Sequence, residues 1–554
     1  MSSDSHSTKN GEPSHKDGRE VEWQLASTDL ASVRRWLENH ATIDGLVVEP
    51  RSTLKIFDTY FDTDDWRIFR AGFALRIRSE DGKSEATLKS LRSNSDEMAD
   101  RREVSESIED SASDPTGASA NTSSTASILR SKGPVGVRVH AVSGSHSLQP
   151  LFEIHTSRQR FAIHAPNDEE PLGEIALDDT VIARPHGQPQ TSIQRVEVEA
   201  LTDAHESLKT LVNALRDGCS LASASDSKFV EGLRCVGLAP APAPEFMPST
   251  VDGSMSVDQI ALANLRRYLS DWYRHEPGAR LGDDPEELHD LRVAGRRLDA
   301  ILRQFSDYLP EAVTRMRPTL KKVLRSLGEA RDLDVALLEL DAFSRRLSES
   351  DRAHLEPLKR HLDHERQRAR ARMLGSLDST AVQKEFEKLT VALAQPAELM
   401  NDRSRTGLVA AQLIRSRYKK VRKDADRLKP DSSMPAYHEV RGRVKKLRYA
   451  LETVAVLFGK PAAEMIRALR RWQERLGAQQ DADVAGRRLS ALASDPPKGL
   501  PPETLFLMGR LAEHYADRAL KARKRHPRAY RKVRERWKAL KPKLPEPPPQ
   551  SDPA

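Results

Sequence analysis

Residues 73–79 read FALRIRS and residues 85–90 read EATLKS. In an extended chain Arg76 and Arg78 point to one side while Leu75 and Ile77 point to the other, and Thr87 and Lys89 likewise oppose Leu88. This period of two marks strands with one apolar and one charged face. The parity recurs in both directions along the chain. Glu20, Glu22 and Gln24 oppose Val21, Trp23 and Leu25; Glu174 and Asp178 oppose Ile175 and Leu177; Glu197 and Glu199 oppose Val196 and Val198. A single strand of this kind is an ordinary solvated sheet face. Several that bring rows of Arg and Glu to the same face suit a closed, mostly antiparallel sheet. Its apolar side would lie outward under helices such as one over 31–39, leaving a charged tunnel inside. Cations there would hold phosphate oxygens, and carboxylates would hold a hard divalent ion, Mg²⁺ or Mn²⁺.

The chain has 554 residues, too long for one ordinary core, so at least two domains are expected. No run of about 18 apolar residues could span a membrane, and the opening MSSDSHSTKNGEPSHKDGRE has no apolar stretch for a secretion signal. Two cysteines cannot build a disulfide framework, so a cytoplasmic location is expected. The net charge of +7 hides an asymmetry: residues 1–250 hold 27 Lys or Arg against 39 Asp or Glu, and residues 251–554 hold 62 against 43. A basic half beside an acidic one suggests a polyanion-binding module joined to a domain that uses carboxylates. The predicted division is a disordered tail over 1–18, the tunnel domain over 19–235, a Pro-rich linker over 236–255, a helical domain over 256–540 and a Pro-rich tail over 541–554, with a surface loop over 109–127.

After the linker, apolar residues fall at helical spacing among many Leu, Ala, Arg and Glu, so that half is all α. It contains a repeat. HDLRVAGRRL from His289 is matched by HEVRGRVKKL from His438, at an offset of 149 residues. Leu327-Gly328 with Asp332 and Asp334 recurs as Leu476-Gly477 with Asp481 and Asp483, and Lys321-Lys322 as Arg470-Arg471, at the same offset. A constant offset over some 45 residues indicates a duplicated multi-helix unit. His289, Arg292 and Arg296 share one helix face, as do His438, Arg441 and Lys445, and Arg303 extends the first stripe. Two such faces in one bundle form a groove of positive potential. Aromatic residues are too sparse to interleave with these cations as a stacking platform, and no helix-turn-helix pattern stands out, which argues against nucleic acid. The four aspartates are read as braces for Arg and Lys.

The acidic half resembles the CYTH domain, or triphosphate tunnel metalloenzyme, family. The resemblance is carried by Glu20-Val-Glu22, Asp58-Thr-Tyr60-Phe61-Asp62-Thr63, Arg76-Ile-Arg78, Thr87-Leu-Lys89, Glu197-Val-Glu199 and Ser227-Lys228-Phe-Val-Glu231-Gly. It implies an eight-stranded barrel acting on triphosphate-containing substrates with a divalent metal. By that resemblance Glu20, Glu22, Glu197 and Glu199 are catalytic and position the metal with help from Glu174 and Asp178, while Arg76, Arg78, Lys89, Arg158, Arg160 and Lys228 bind the triphosphate. Two positions depart from the family pattern: Gln24 stands where a Lys is usual, and Ser105 where a second carboxylate is usual. The basic half resembles the CHAD domain (conserved histidine α-helical domain), carried by the two His-x-x-Arg motifs and by Tyr449-Ala-Leu-Glu452. That implies two four-helix bundles binding inorganic polyphosphate through His289, Arg292, Arg296, Lys321, Lys322, His438, Arg441, Lys445 and Arg448.

The reading is therefore α+β and multidomain, an antiparallel barrel followed by duplicated helical bundles. The expected activity is metal-dependent hydrolysis of inorganic triphosphate or a related phosphate chain, with a tethered module that gathers polyphosphate. The rival is a polyphosphate-binding protein without turnover, directed to polyphosphate granules, for which Gln24 and Ser105 speak. A nucleotide cyclase is a second rival, but no residues for base recognition are evident.

Overall fold

The computed structural model describes residues 15–80, 83–91, 99–108, 127–185, 187–202, 204–241, 243–395, 405–497 and 499–546. The chain divides into two compact units, Met1–Ala243 with Arg280–Asp283, and Pro244–Ala279 with Asp284–Ala554.

The first unit is a barrel. Its strands are β1 (His15–Ser27), β2 (Thr42–Ile43), β3 (Leu46–Thr63), β4 (Phe73–Glu80), β5 (Lys83–Ser90), β6 (Ala99–Ile108), β7 (Leu148–His164), β8 (Pro171–Ala183), β9 (Pro189–Ala200) and β10 (Ala222–Ser223). Eight of them form an antiparallel ring in the order β1-β6-β5-β4-β3-β7-β8-β9. β1 closes it, pairing with β6 through its first half and with β9 through its second. Closure leaves no free edge and sends every second side chain inward.

The apolar faces point outward and are covered by helices. Trp23, Leu25, Val196 and Val198 meet Val33 and Leu37 of α1 (Leu30–Asn39) and Leu208 and Leu211 of a helix over His205–Cys219. Leu75, Leu88 and Val104 meet Val135 and Val139 of a helix over Pro134–Ser143. Burial stabilises each large side chain by roughly 1.5–3 kcal/mol. Glu106 lies on the outward side of β6, where its carboxylate accepts the Val135 and Gly136 amides at 2.9 and 3.2 Å and so caps that helix. A short helix over Lys228–Cys235 begins at Ser227, whose hydroxyl accepts the Val230 amide at 3.4 Å. It presses on β7 at Gly232, where a Cβ would stand 2.2 Å from the Phe152 ring. Only glycine permits that approach, which seats Lys228 at the tunnel.

Strand β3 extends back to Leu46, although Glu49, Pro50, Arg51 and Ser52 break the alternation; the chain stays extended because β7 pairs with it across a register shift between Pro50 and Thr53. Two expectations need correction. Residues 15–18, assigned above to the tail, extend β1 by pairing with β6. At the C-terminal end Leu544 is buried and accepts Arg415 through its carbonyl at 2.7 Å, so the tail begins later than 541. The rest of the two expected tails, 1–14 and 547–554, and the expected surface loop over 109–126 lie outside the described residues.

The second unit is all helical. Helices over Val257–Leu281, Pro285–Gln304, Arg317–Ser344 and Glu349–Leu377 recur as Thr406–Ala425, Met434–Val454, Gly459–Ser494 and Pro502–Leu540, with Thr380–Ala394 between the sets. The offset of 149 carries Pro285 to the start of the Met434 helix and the 3₁₀ turn Ser306–Tyr308 onto Ala455–Leu457. One continuous apolar core, including Trp272, Leu298, Leu327, Leu447, Trp472 and Leu476, joins both copies.

Candidate functional site

The inward faces of the ring enclose a cavity of about 290 Å³. Glu20, Glu22, Arg76, Arg78, Lys89, Arg158, Glu174, Glu197, Glu199 and Lys228 all line it. Parity places all of them but Lys228, because the ring turns one face of every strand toward a common axis, and Lys228 comes from the helix over Lys228–Cys235.

The cations are held by carboxylates beneath them. Arg78 makes a bidentate pair with Asp58 at 2.8 and 3.0 Å, and Arg76 lies 4.0 Å from the same group. Burial opposes charge on Asp58, but Arg78 and Arg76 outweigh it and hold the carboxyl down at about 2. Arg158 pairs with Asp178 at 2.8 and 2.6 Å and with Glu197 at 2.6 Å, and Lys228 joins both carboxylates. Burial pushes Glu197 up, yet Lys228 and Arg158 keep it well below the usual range. Lys89 bridges Glu20 and Glu22.

Glu199 is different. No ion pair reaches it among the described residues, and burial, then Glu20 and Glu22, push its carboxyl up to about 7. It sits directly across the ladder from Glu22 on one side and Glu174 on the other. Glu174 is also raised, by burial. Like charges directly opposite in a sheet repel, so Glu199 stands where positive charge is missing, between Glu22, which Lys89 reaches, and Glu174, which lies 3.6 Å from Arg160.

Two predicted residues stand apart from the lining of the lumen. Asp178 has no exposed surface and is enclosed by Arg158 and Lys228. Arg160 lies outside the lining, 3.6 Å from Glu174 and 3.1 Å from the exposed Ser52 hydroxyl. Sequence reasoning missed Asp58, Arg101 and Glu103, which line the tunnel, and Arg195. Their parity with Tyr60, Ser105 and Glu197 was the available signal.

The two departures from the family pattern are built into the wall. Gln24 donates to Glu22 at 2.8 Å and accepts Arg195 at 3.1 Å, while the buried Arg195 also pairs with Glu231 at 2.8 Å. A cation thus stands one side chain behind the position where the family has Lys. Ser105 donates to Glu103 at 3.2 Å and contacts Thr87 at 3.0 Å. Gln24→Lys therefore would not improve the site: it removes an acceptor from Arg195 and places a second cation against it. The expected result is a loss of about 1–3 kcal/mol in unfolding free energy with no gain in turnover, read by chemical denaturation and phosphate release.

In the helical unit, cations from both copies converge. Burial, then Arg296 and Arg441 from the second copy, push Arg292 down to about 10, and burial with Arg441 pushes Arg296 down. Lys445 is driven to about 6, first by burial and then by Arg296, Arg441, Arg292 and Arg448. Compensation is thin. Arg292 lies 3.9 Å from Asp332, its Nε is buried without a hydrogen-bond partner, and Arg441 donates to Gln480 at 2.9 Å while its Nε is likewise unpartnered. The copies match in detail: a Cβ on Gly328 would lie 3.5 Å from Arg292, and one on Gly477 3.6 Å from Arg441. Asp334 and Asp483 lie by Arg366 at 3.8 Å and Arg487 at 2.5 Å, as braces. His289, His438, Lys321 and Lys322 are exposed.

Family comparison agrees with this geometry. The chain carries a CYTH domain matched over residues 32–231, followed by a CHAD domain matched over residues 263–490. Among solved structures, the CHAD domain from the plant Ricinus communis is 26% identical with a TM-score of 0.44, covering 53% of this chain and 96% of that one. PptA from Streptomyces chartreusis is 21% identical with a TM-score of 0.39, covering 50% and 100%. HpAC1 from Hippeastrum, described with a dominant triphosphatase activity, is 21% identical with a TM-score of 0.30, covering 40% and 97%. No curated protein matches the chain. Among the described residues no helix is long and apolar enough to cross a membrane.

Proposed function

We propose that the barrel hydrolyses inorganic triphosphate or a related phosphate chain with a divalent metal, and that the helical unit binds polyphosphate. The observation that carries the first part is the division of one lumen into anchored cations and a row of carboxylates centred on Glu199, which has no ion pair among the described residues. Arg76, Arg78, Arg158 and Lys228, oriented from behind by Asp58 and Asp178, would take the phosphate oxygens. Glu22, Glu199 and Glu174, with Glu20, fit a hard divalent ion, because their donors are all carboxylate oxygens and Glu199 has no cation of its own. Such an ion supplies charge neutralisation on the phosphoryl oxygens. The chain's own part is to align the phosphate row for in-line attack by water, with the cleaved phosphate leaving as its bridging P–O bond breaks, and positioning of this kind is most of what phosphoryl transfer asks of a protein. The test is phosphate release from inorganic triphosphate with Mg²⁺ or Mn²⁺ and with EDTA, with ATP alongside. Metal-dependent release is expected; no release with either metal, while polyphosphate still binds, would leave the binding-only protein at polyphosphate granules.

The second part rests on the Arg292, Arg296, Arg441 and Lys445 cluster, whose charges are held together without enough carboxylates. A polyanion would relieve the repulsion. Lys445, held at about 6, is mostly neutral in the free protein at about pH 7.5, so binding that restores its charge takes up a proton. With no anion bound, the unfolded chain holds this proton up to about pH 10 and the folded chain does not, so stability falls as pH drops from there toward 6. Titration calorimetry of polyphosphate binding in buffers of different ionisation enthalpy should show net proton uptake, abolished in Lys445→Arg while binding persists. Uptake unchanged in that variant would exclude Lys445 as the group.

A further inference from the structure

Arg195 is a buried cation of the barrel that does not itself line the lumen. It lies on β9 two residues before Glu197, diagonal across the ladder from Gln24, a separation that long side chains span. Its Nη1 donates to Gln24 Oε1 at 3.1 Å. Its Nη2 donates to the Asp226 carbonyl at 2.6 Å and pairs with Glu231 at 2.8 Å. Gln24 lines the lumen together with Glu22, two positions back along β1.

The chemistry of the pair fixes which way the amide faces. A guanidinium only donates, so Gln24 must turn its oxygen to Arg195 and its nitrogen away from it. That nitrogen donates to Glu22 Oε1 at 2.8 Å, and Lys89 donates to the same oxygen at 3.2 Å. Among the described residues both hydrogen bonds to the Glu22 carboxylate therefore end on Oε1, and Oε2 is left for another partner. Glu22 stands directly across the ladder from Glu199, which has no ion pair among the described residues. Without Arg195 behind it, the amide would be able to turn over and bring its oxygen against the carboxylate. A lysine at this position would also donate to Glu22, but with a full charge beside the carboxylates. Here the charge stays one side chain back, on Arg195, against Glu231.

We infer that Gln24 and Arg195 are positioning residues for Glu22: Arg195 sets the amide, the amide and Lys89 hold Oε1, and Oε2 is the oxygen offered to a divalent ion. The inference rests on the metal row proposed for the lumen and deepens it, because it assigns a part in metal binding to two residues that supply no ligand atom. Partners of this kind, one step behind a metal ligand, are worth about 10–100-fold in metal affinity.

The test is Gln24→Met in the full chain, which keeps the length of the side chain and removes both of its hydrogen bonds. Mn²⁺ binding is followed by electron paramagnetic resonance without substrate, and the lumen site is identified as the one lost in Glu199→Gln. The Gln24→Met variant should bind Mn²⁺ there about 10–100-fold more weakly than the wild type. Its affinity for inorganic triphosphate in EDTA, read by calorimetry, should be unchanged, because Arg76, Arg78, Arg158 and Lys228 keep their own partners. Unchanged Mn²⁺ affinity in the folded variant overturns the inference. So does a parallel loss of Mn²⁺ and triphosphate affinity, which marks a general loosening of the lumen. If Gln24→Met does not fold, Gln24→Asn, too short to span Arg195 and Glu22, is read in the same way. Failure of the underlying reading is distinct. Mn²⁺ bound without release of phosphate from triphosphate removes hydrolysis and leaves the inference to be judged by affinity, whereas a wild type with no Mn²⁺ site that Glu199→Gln abolishes loses the metal row and the inference with it.

Discussion

Glu199→Gln should abolish metal-dependent triphosphate hydrolysis, by at least about a hundredfold, without lowering the stability of the barrel. Glu199 is a lumen carboxylate with no ion pair among the described residues, and it stands across the ladder from both Glu22 and Glu174. Its neutral amide keeps the shape and relieves repulsion from Glu20 and Glu22, so the metal-free protein should unfold at the same denaturant concentration as the wild type or a higher one. The stabilisation that Mg²⁺ or Mn²⁺ gives the wild type should shrink in the variant. Paired turnover and unfolding measurements decide the matter. Full activity in the variant would remove Glu199 from the metal row and with it the main support for catalysis in this lumen.

Asp178→Asn should have the opposite profile. Asp178 is fully buried and serves Arg158 and Lys228 together. Removing its charge leaves two cations with Glu197 alone, and breaking a buried ion pair in this way costs about 3–5 kcal/mol. The unfolding midpoint should fall sharply, and triphosphate binding should weaken because Arg158 and Lys228 lose their orientation. Metal stabilisation per folded molecule should survive, since Glu22, Glu199 and Glu174 are untouched. A variant that keeps its stability but loses metal binding would return Asp178 to the ligand set from which its enclosure by cations removes it.

The contrast between these two residues marks where sequence reading stops. Both have inward parity, and sheet sidedness is local: a charged residue two positions from another on a strand shares its face whatever the rest of the chain does. Glu20, Glu22, Arg76, Arg78, Lys89, Glu197 and Glu199 were therefore legible as one face, and the outward apolar rows told of covering helices. The 149-residue repeat was legible too, because helix boundaries follow the local pattern of apolar residues. What parity cannot say is which inward carboxylate faces open lumen and which lies beneath a cation. That depends on where Lys228 sits, which is set by a helix packed on Phe152 through Gly232. In the same way Arg297 and Lys446 are equivalent in sequence, and only the packing of one copy against the other gives Glu452 to the first and Arg303 to the second. Secondary structure and sidedness are written in neighbours along the chain. The balance of charge at each site is the sum over neighbours in space, where electrostatic interactions reach across elements distant in sequence, and the tertiary structure alone assembles those neighbours.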